Sequence, residues 1–215
     1  MKNKTPLLLV VMGVSGCGKS TLAKAISVAL NLRMLDGDDL HSTQSIVKMQ
    51  AGIALDDADR WPWLDRIANY LASGAIQDNS EPGRVIACSA LKRSYRDRIR
   101  KPLAGLRFIF LDGDDALIRS RMAARTGHFM QLELLDSQLH TLERPGADET
   151  DVISLNMMYS VDNLVAQTIA ALQTLATQQP PSDGRTNVHL AKPANGLNVF
   201  ANGKTALLSA PATTQ

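Results

Sequence analysis

The sequence predicts an α/β fold in which a mainly parallel sheet carries helices on both of its faces. One observation is an alternation of strand-length apolar runs with amphipathic helical segments over residues 5–177. A second is the first of these runs, residues 7–12, which is wholly apolar, as is typical of a strand buried on both faces. Because strands that alternate with helices are joined by right-handed βαβ crossovers, the strands should run parallel.

The individual elements follow from the same periodicities. The first helix is predicted over residues 19–30, where one face is apolar: Leu22, Ala25, Ile26 and Ala29. Further strands are predicted at residues 33–35, 84–88, 106–111 and 151–155. Further helices are predicted near residues 40–50, 58–77, 95–100, 115–125 and 161–177. Pro62 should fall in the first turn of the helix at 58–77, where proline is tolerated.

Two segments interrupt the alternation and set the predicted domain boundaries. Residues 126–149 lie between a helix and a strand and contain Gly127, Pro145 and Gly146. Their length predicts a mobile lid rather than a simple connection. The segment 178–215 holds four of the nine prolines and shows no sustained periodicity, which predicts a disordered or loosely packed tail. The main domain is therefore predicted over residues 1–177.

Charge and composition exclude several classes of partner. The formal net charge of +2 resides in the tail, because the twenty basic residues before it are balanced by twenty acidic ones. With aromatic residues at 4%, this neutral body does not resemble a nucleic-acid binder. Two cysteines are too few for a disulfide framework or a four-ligand zinc site. Since the longest apolar run is far shorter than a membrane span, no membrane partner is expected.

A glycine-rich loop connects the first strand to the first helix. Residues 13–20 read GVSGCGKS and match G-x-x-x-x-G-K-[ST], a loop whose backbone N–H groups hold phosphates at the start of a helix. In such a loop Lys19 reaches the β- and γ-phosphates, and the Ser20 hydroxyl binds Mg²⁺. The predicted nucleotide-binding residues are Gly13, Val14, Ser15, Gly16, Cys17, Gly18, Lys19, Ser20 and Thr21.

Cys17 permits two other interpretations of the same segment. The basic and apolar residues before it resemble a lipoprotein signal peptide, but cleavage before Cys17 would remove the strand and half of the loop. We therefore predict that the protein stays in the cytoplasm. The thiol could also have a lowered pKa at the helix N-terminus. We favour a small space-filling residue that contributes its N–H.

The rest of the chain narrows the class of nucleotide-binding protein. No Asn-Lys-x-Asp motif follows a strand, which disfavours a GTPase, and the chain is too short for a motor ATPase. Of these classes of nucleotide-binding protein, a small-molecule kinase remains. Residues 36–41 (DGDDLH) follow the second strand, where the carboxylates could hold Mg²⁺ waters, accept a proton from an attacking hydroxyl, or cap a helix through Asp38 or Asp39. The basic residues Lys48, Arg60 and Lys92 could bind an anionic substrate or lie solvated on the surface.

Together these segments resemble the gluconate kinase (gluconokinase) family of P-loop small-molecule kinases. The motifs occur in family order over about residues 7–155: GVSGCGKST, LDGDDLH, KMQAGIALDDADRWPWL, VIACSALKRSYRDRIR, FIFLDGDDALIRSRMAARTGHFM and SQLHTLERPGADE. The resemblance implies a nucleoside-kinase-like fold with a five-stranded parallel sheet, flanking helices and a closing lid. It implies transfer of phosphate from ATP, with Mg²⁺, to the 6-hydroxyl of D-gluconate, giving 6-phospho-D-gluconate.

The resemblance also implies roles for residues. Residues 13–21 match the ATP loop, with Lys19 catalytic. Asp38 is the candidate that orients or deprotonates the attacking hydroxyl, whereas Asp36 is structural or on the metal side. The implied substrate-binding residues are Asp38, His41, Arg60 and Lys92. Arg121 and Arg125 match the helix leading into the lid, where arginines contact adenine or stabilise the transferring phosphoryl group, so Arg125 joins the catalytic candidates. His128 could make a lid contact or a structural hydrogen bond.

Some questions stay open at this point. Ser42 and Ala54 stand where the family usually has proline, which puts fine specificity in doubt. Asp112 ends a strand that looks like a Walker B strand, but it could instead cap a turn with Gly113, and we leave it out of the catalytic set. The alternatives are a sibling kinase acting on another sugar acid or polyol, and a nucleotide-binding regulator without turnover. The resemblance suggests a homodimer, although the sequence shows no apolar patch that would mark the interface.

Overall fold

Five parallel strands form the centre of the computed structural model. They are β1 (Leu7–Met12), β2 (Arg33–Asp36), β3 (Gly83–Ala87), β4 (Arg107–Asp112) and β5 (Val152–Asn156). Their order across the sheet is β2-β3-β1-β4-β5, and each neighbouring pair is parallel. At the middle of the sheet, Val10 pairs with Ile86 on one side and with Phe108 on the other. The predicted five-stranded parallel sheet is confirmed.

The structure describes residues 5–76, 82–123 and 129–178, all within the first of the two units into which the chain divides, Met1–Gln179. Side chains are described for these residues except 74–76, 129–134 and 178. The helices are α1 (Lys19–Leu30), α2 (Thr43–Gln50), α3 (Asp57–Ile76), α4 (Arg93–Arg100), α5 (Asp115–Ala123), α6 (Phe129–Thr141) and α7 (Val161–Gln178). Apart from Gln178, the last residue of α7, the predicted tail lies outside the described residues.

Alternate residues of β1 belong to two hydrophobic cores, one on each face of the sheet. Leu9 and Val11 pack in a core that receives side chains from α1, α5, α6 and α7. Leu8, Val10 and Met12 pack in the other core with side chains of α3 and α4. Successive side chains of a strand point to opposite faces of the sheet, so a strand without polar residues must be covered on both faces. The two layers of helices provide this cover.

The segment between β2 and α3 differs from the single helix predicted near 40–50. Residues Gly37–Leu40 form a 3₁₀ turn, and α2 begins only at Thr43. The break occurs because Ser42 caps α2, its Oγ accepting a hydrogen bond from the Ser45 N–H at 3.1 Å. The turn itself is capped by Asp36, which accepts from the Asp38 N–H at 3.2 Å. The carboxylate that caps this turn therefore belongs to Asp36, and not to Asp38 or Asp39 as the sequence allowed.

Helix α3 departs from the prediction at its proline. Pro62 lies inside the helix rather than in its first turn. It therefore removes the N–H that would bond to the carbonyl of Ala58. The helix nevertheless continues to Ile76, and the ring of Trp63, next to the proline, is buried in the core.

The predicted lid segment contains a helix that the sequence analysis missed. Helix α6 occupies most of it, and Leu135 is fully buried in the core that also contains α1. A signal for it was present, because Leu135, Leu139 and Leu142 recur at helical spacing. Whether this segment closes as a lid stays a prediction.

An ion-pair network fixes the chain after α6 to α4. Arg96 donates to both carboxylate oxygens of Glu149, at 2.7 and 2.5 Å, and the two side chains are each 1% exposed. Arg96 also donates to the carbonyl of Glu143 at 3.0 Å, and Arg100 donates to Glu149 at 2.8 Å. Hydrogen bonds from these arginines lower the pKa of Glu149 to about 2. Much of the motif ERPGADE is therefore structural.

Candidate active site

A cavity of about 650 Å³ opens at the carboxyl ends of β1, β2 and β3. Ligands of open parallel sheets bind at this edge, because the loops that follow the strands converge there. The cavity wall includes residues from the phosphate loop (residues 13–21), from the turn after β2, from α2 and α3, and from α6. Ser89, which follows β3, completes the floor.

The phosphate loop has the backbone that its glycines allow. Gly18 is the N-cap of α1 and is left-handed, with φ of 102°. Gly16 has φ of 82°, and a Cβ there would lie 2.5 Å from the sulfur of Met122. Lys19 extends back along the loop and donates to the carbonyl of Val14 at 3.0 Å. The positive end of α1 and the Lys19 ammonium thus face one side of the cavity, as phosphate binding requires.

The side chains of Val14 and Cys17 are buried in the core and do not line the cavity. Burial raises the pKa of the Cys17 thiol, which keeps it protonated near neutral pH. These two residues can serve a nucleotide only through their backbone. The space-filling interpretation of Cys17 fits this position.

Ser20 and Asp36 meet at the base of the cavity. The Ser20 hydroxyl donates to Asp36 Oδ2 at 2.7 Å, and both residues line the cavity. Hard oxygen donors of this kind suit Mg²⁺, which takes one or two protein ligands and completes its shell with waters and substrate phosphates. In the described part of the chain, no group of three or more His, Cys, Asp or Glu side chains could hold a metal. The pair fits a magnesium ion that arrives with nucleotide.

Asp38 stands beside this pair with its carboxylate open to the cavity, its side chain being 83% exposed. Loss of hydration from the surrounding cavity wall raises its pKa, and the neighbouring charge of Asp36 adds to the increase. An accessible carboxylate with a raised pKa is suited to accept a proton from a hydroxyl group.

His41 lies next to Asp38, with its Nε2 4.0 Å from Asp38 Oδ1, and its ring is neutral near pH 7. It stacks on Trp63 with a centroid separation of 4.4 Å, and its side chain is 5% exposed. Burial and the charges of Arg66 and Arg60 lower the pKa of His41 to about 4. Its Nδ1 is buried without a hydrogen-bond partner among the described residues. Because His41 lines the cavity and its Nδ1 is buried, the ring nitrogen that can meet a bound hydroxyl is Nε2, on the side of Asp38.

The predicted basic residues separate into two groups. Arg60 lines the cavity, and its Nη1 donates to the Tyr95 hydroxyl at 3.2 Å. Lys92 does not line the cavity and instead donates to Asp57 at 2.8 and 3.0 Å. Lys48 likewise pairs with Asp59 at 2.8 Å, outside the cavity wall.

The residues expected around the nucleotide are less completely described. Arg121 donates to the carbonyl of Met157 at 3.2 Å and does not line the cavity. Arg125 and His128 lie outside the described residues. Asp112 accepts from the Gly113 N–H at 3.0 Å and from Arg144 at 3.2 Å, which favours the turn-capping interpretation over a metal-side role.

Gln138 of α6 is a cavity residue that the sequence analysis missed. Its Oε1 accepts from the Ser15 N–H at 2.7 Å, and its Nε2 donates to Ser15 Oγ at 3.0 Å. A backbone N–H of the phosphate loop is therefore already bonded to α6 in this structure. Trp63 and Ser89 were also missed as cavity residues; nothing local in the sequence marks either of them.

Known proteins resemble this chain over most of its length. A family model described as an AAA domain matches residues 8–145. The thermoresistant gluconokinase of Escherichia coli (strain K12) is 43% identical over 166 residues, which cover 77% of this chain and 93% of that protein. The thermosensitive gluconokinase of the same organism is 42% identical over 158 residues, covering 74% and 83% respectively.

Solved structures show the same relationship. A crystal structure of a gluconokinase from Sinorhizobium meliloti 1021 superimposes with a TM-score of 0.71 and 44% identity, covering 81% of this chain and 95% of that one. An APS kinase from Mycobacterium tuberculosis, solved with AMPPNP and APS, gives a TM-score of 0.58 at 19% identity, with 79% and 98% coverage. At that identity the likeness concerns the fold alone. No helix within the described ranges has the length and apolar character to span a membrane.

Proposed function

The chain belongs to the gluconokinase family, and on that premise we propose that it transfers the γ-phosphate of ATP to the 6-hydroxyl of D-gluconate. The products are ADP and 6-phospho-D-gluconate. The observation that carries this proposal is the single cavity lined by the phosphate loop, the carboxylates of Asp36 and Asp38, and the cation of Arg60. A regulator without turnover would need the first of these features and not the other two.

The nucleotide half of the cavity is formed by the phosphate loop and the first turn of α1. N–H groups of residues 13–21 and the Lys19 ammonium hold the phosphates, and the first turn of α1 contributes its dipole. Ser20 would hold Mg²⁺, with Asp36 on the metal side of the same hydrogen bond. When bound, Mg²⁺ neutralises charge on the phosphates. Arg121 and Arg125 are proposed as further ATP ligands, with Arg125 acting on the transferring group.

The acceptor half of the cavity binds gluconate at its carboxylate and at its 6-hydroxyl. Arg60 pairs with the carboxylate, because a guanidinium suits planar carboxylate recognition. The Nε2 of the neutral His41 ring, beside Asp38, hydrogen-bonds to the polyol. Asp38 orients the 6-hydroxyl and accepts its proton as the oxygen bonds to the γ-phosphorus. The bond from that phosphorus to the bridging oxygen breaks, and the electron pair leaves with ADP.

The wider organisation follows the sequence analysis and stays a proposal. Residues 1–177 form the kinase domain, residues 126–149 act as the lid that excludes water during transfer, and residues 178–215 lie outside the catalytic unit. A homodimer in the cytoplasm is the expected form. Gluconate and ATP are the expected small-molecule partners, without nucleic acid or membrane.

A substrate panel tests the proposed reaction. ADP release from Mg·ATP is measured with D-gluconate, its epimers, glucose and shikimate, using Lys19→Ala as the inactive control. The proposal expects the highest kcat/KM with gluconate. A higher value with another acid or polyol would favour the sibling kinase. ATP binding without turnover on any acceptor would favour the regulator.

A further inference from the structure

We propose, resting on the function above, that Lys92 and Tyr95 are positioning residues that keep the positive charge of Arg60 available to the acceptor's carboxylate. In this role Lys92 acts through Asp57 and does not touch the substrate. The juxtaposition that carries the inference is a chain of four side chains running from Lys92 through Asp57 and Tyr95 to Arg60.

The chain of contacts has a defined direction. Lys92 Nζ donates to both oxygens of Asp57, at 2.8 and 3.0 Å. The Tyr95 hydroxyl donates to Asp57 Oδ1 at 2.5 Å, so its oxygen is free to accept from Arg60 Nη1 at 3.2 Å. The Arg60 guanidinium also lies over the Tyr95 ring, 5.7 Å from its centroid. Tyr95 itself is 1% exposed, so this ring is fixed.

The charges explain why such a chain is needed. Arg60 and Asp57 lie three residues apart on one face of α3. Hydrogen bonds from Lys92 and Tyr95 lower the pKa of Asp57, and the charge of Arg60 adds to the decrease. A direct ion pair between Arg60 and Asp57 would neutralise the only cation that the predicted substrate residues bring to the cavity. Lys92 instead occupies the carboxylate. In the described ranges, no carboxylate lies within ion-pair distance of Arg60.

The neutral phenol then holds Arg60 without taking its charge. A tyrosine oxygen fixes the guanidinium by one hydrogen bond and by its ring face, and both contacts leave the net charge in place. Burial and the bond to Asp57 raise the pKa of Tyr95, so the phenol stays neutral near pH 7. The carboxylate of an acceptor therefore meets an uncompensated cation.

A double-mutant cycle tests this arrangement through KM and kcat. In Lys92→Met, Asp57 is free to capture Arg60. We expect KM for gluconate to rise roughly three- to tenfold, the range for a partly exposed ion pair, with kcat and KM for ATP within about twofold. Asp57→Asn alone should change KM for gluconate by less than about twofold, and adding it to Lys92→Met should restore KM to the Asp57→Asn value.

The opposite outcome is equally clear. If the double variant keeps the high KM of Lys92→Met, then Lys92 itself contacts gluconate and the inference is wrong. Arg98→Met is the matched control, because it removes an ion pair that joins α4 to α3, Arg98 with Asp65 at 2.7 Å. It should leave KM unchanged; an equal rise would mean that looser helix packing explains the effect, which also overturns the inference.

Tyr95→Phe gives an independent reading should Lys92→Met fold poorly. It removes only the hydroxyl, so KM for gluconate should rise while kcat holds, and an unchanged KM would contradict the inference. The wild-type enzyme separates this inference from the proposed function. A wild type inactive on gluconate refutes the function, whereas an active wild type with a failed cycle refutes only the roles of Lys92 and Tyr95.

Discussion

Ser20 donates a 2.7 Å hydrogen bond to Asp36 and so joins the first turn of α1 to the carboxyl end of β2. The bond links the phosphate-binding end of α1 to the end of β2, at the edge of the sheet where nucleotide and acceptor must meet. It also aligns the hydroxyl that would bind Mg²⁺, since a ligand's orientation is set by its hydrogen-bond partner.

Asp36→Ala should therefore raise the Mg²⁺ concentration needed for half-maximal activity, by roughly 10- to 100-fold, as is usual for loss of a residue supporting a metal ligand. The measurement is turnover against free Mg²⁺ at fixed ATP. Asp39→Ala is the control, because Asp39 is exposed and adjacent but lies outside the cavity wall. An unchanged Mg²⁺ midpoint in Asp36→Ala would exclude this role.

Asp38→Asn should lower kcat by about 10²- to 10⁴-fold while leaving both KM values nearly unchanged, because the amide cannot accept the hydroxyl proton. The raised pKa of Asp38 sets the sign of the pH dependence. In the wild type, kcat should fall as pH decreases through a pKa above the ordinary range of aspartate. The variant should lack that acidic limb, and a kcat loss below about tenfold would argue against a proton-accepting role.

Protonation of His41 should destabilise the fold in mildly acidic solution. Its pKa is about 4 in the folded protein against an ordinary 6.5, so the unfolded chain binds the proton first as pH falls. Its stabilising contribution is complete above pH 6.5 and is lost between 6.5 and about 4. Between pH 7.5 and pH 4.5, the free energy of unfolding should fall by about 2–3 kcal/mol more in the wild type than in His41→Phe. Equal losses by chemical denaturation would contradict this.

Gln138 accepts the hydrogen bond of the Ser15 N–H, which without Gln138 would be available to a phosphate oxygen, since one N–H group makes one good hydrogen bond. Gln138→Leu should therefore tighten ATP binding in the absence of acceptor, by about two- to tenfold, the value of one hydrogen bond. Titration calorimetry measures this, with His140→Ala on the same helix as the control. Weaker ATP binding in Gln138→Leu would show that Gln138 supports the nucleotide instead of competing with it.

Deletion of residues 180–215 should barely alter kcat/KM for gluconate. The basis is that every cavity residue named above precedes the tail in sequence. Steady-state kinetics of the full chain and the truncated chain test this. A large loss in the truncated chain would make the tail part of the working enzyme.

The sequence predicted most of the fold because the decisive signals were local. The strand β1 and the helix α1 agree with their predicted limits, and the other strands agree within one residue. Helix α6 was missed because the glycine and proline around it were weighted above its leucine spacing. The break at Ser42 depended on a cap that competes with helix continuation.

The sequence predicted the site residues that follow the ends of strands. It did not predict side-chain contacts between residues far apart in the chain. Asp38, His41 and Arg60 meet the phosphate loop because the edge of a parallel sheet gathers them. The partner of Lys92 is 35 residues away on another helix, and that of Gln138 is 123 residues away. Such pairings follow from helix packing, which no local pattern encodes.

The most direct test of the central claim is the position of the phosphate in the product. The protein is incubated with Mg·ATP and D-gluconate, and the product is analysed by phosphorus NMR. Transfer to the 6-hydroxyl predicts a phosphate signal split as a triplet by the two methylene protons of that carbon. A doublet, which marks an ester on a secondary carbon, or the absence of any gluconate ester, would contradict the account.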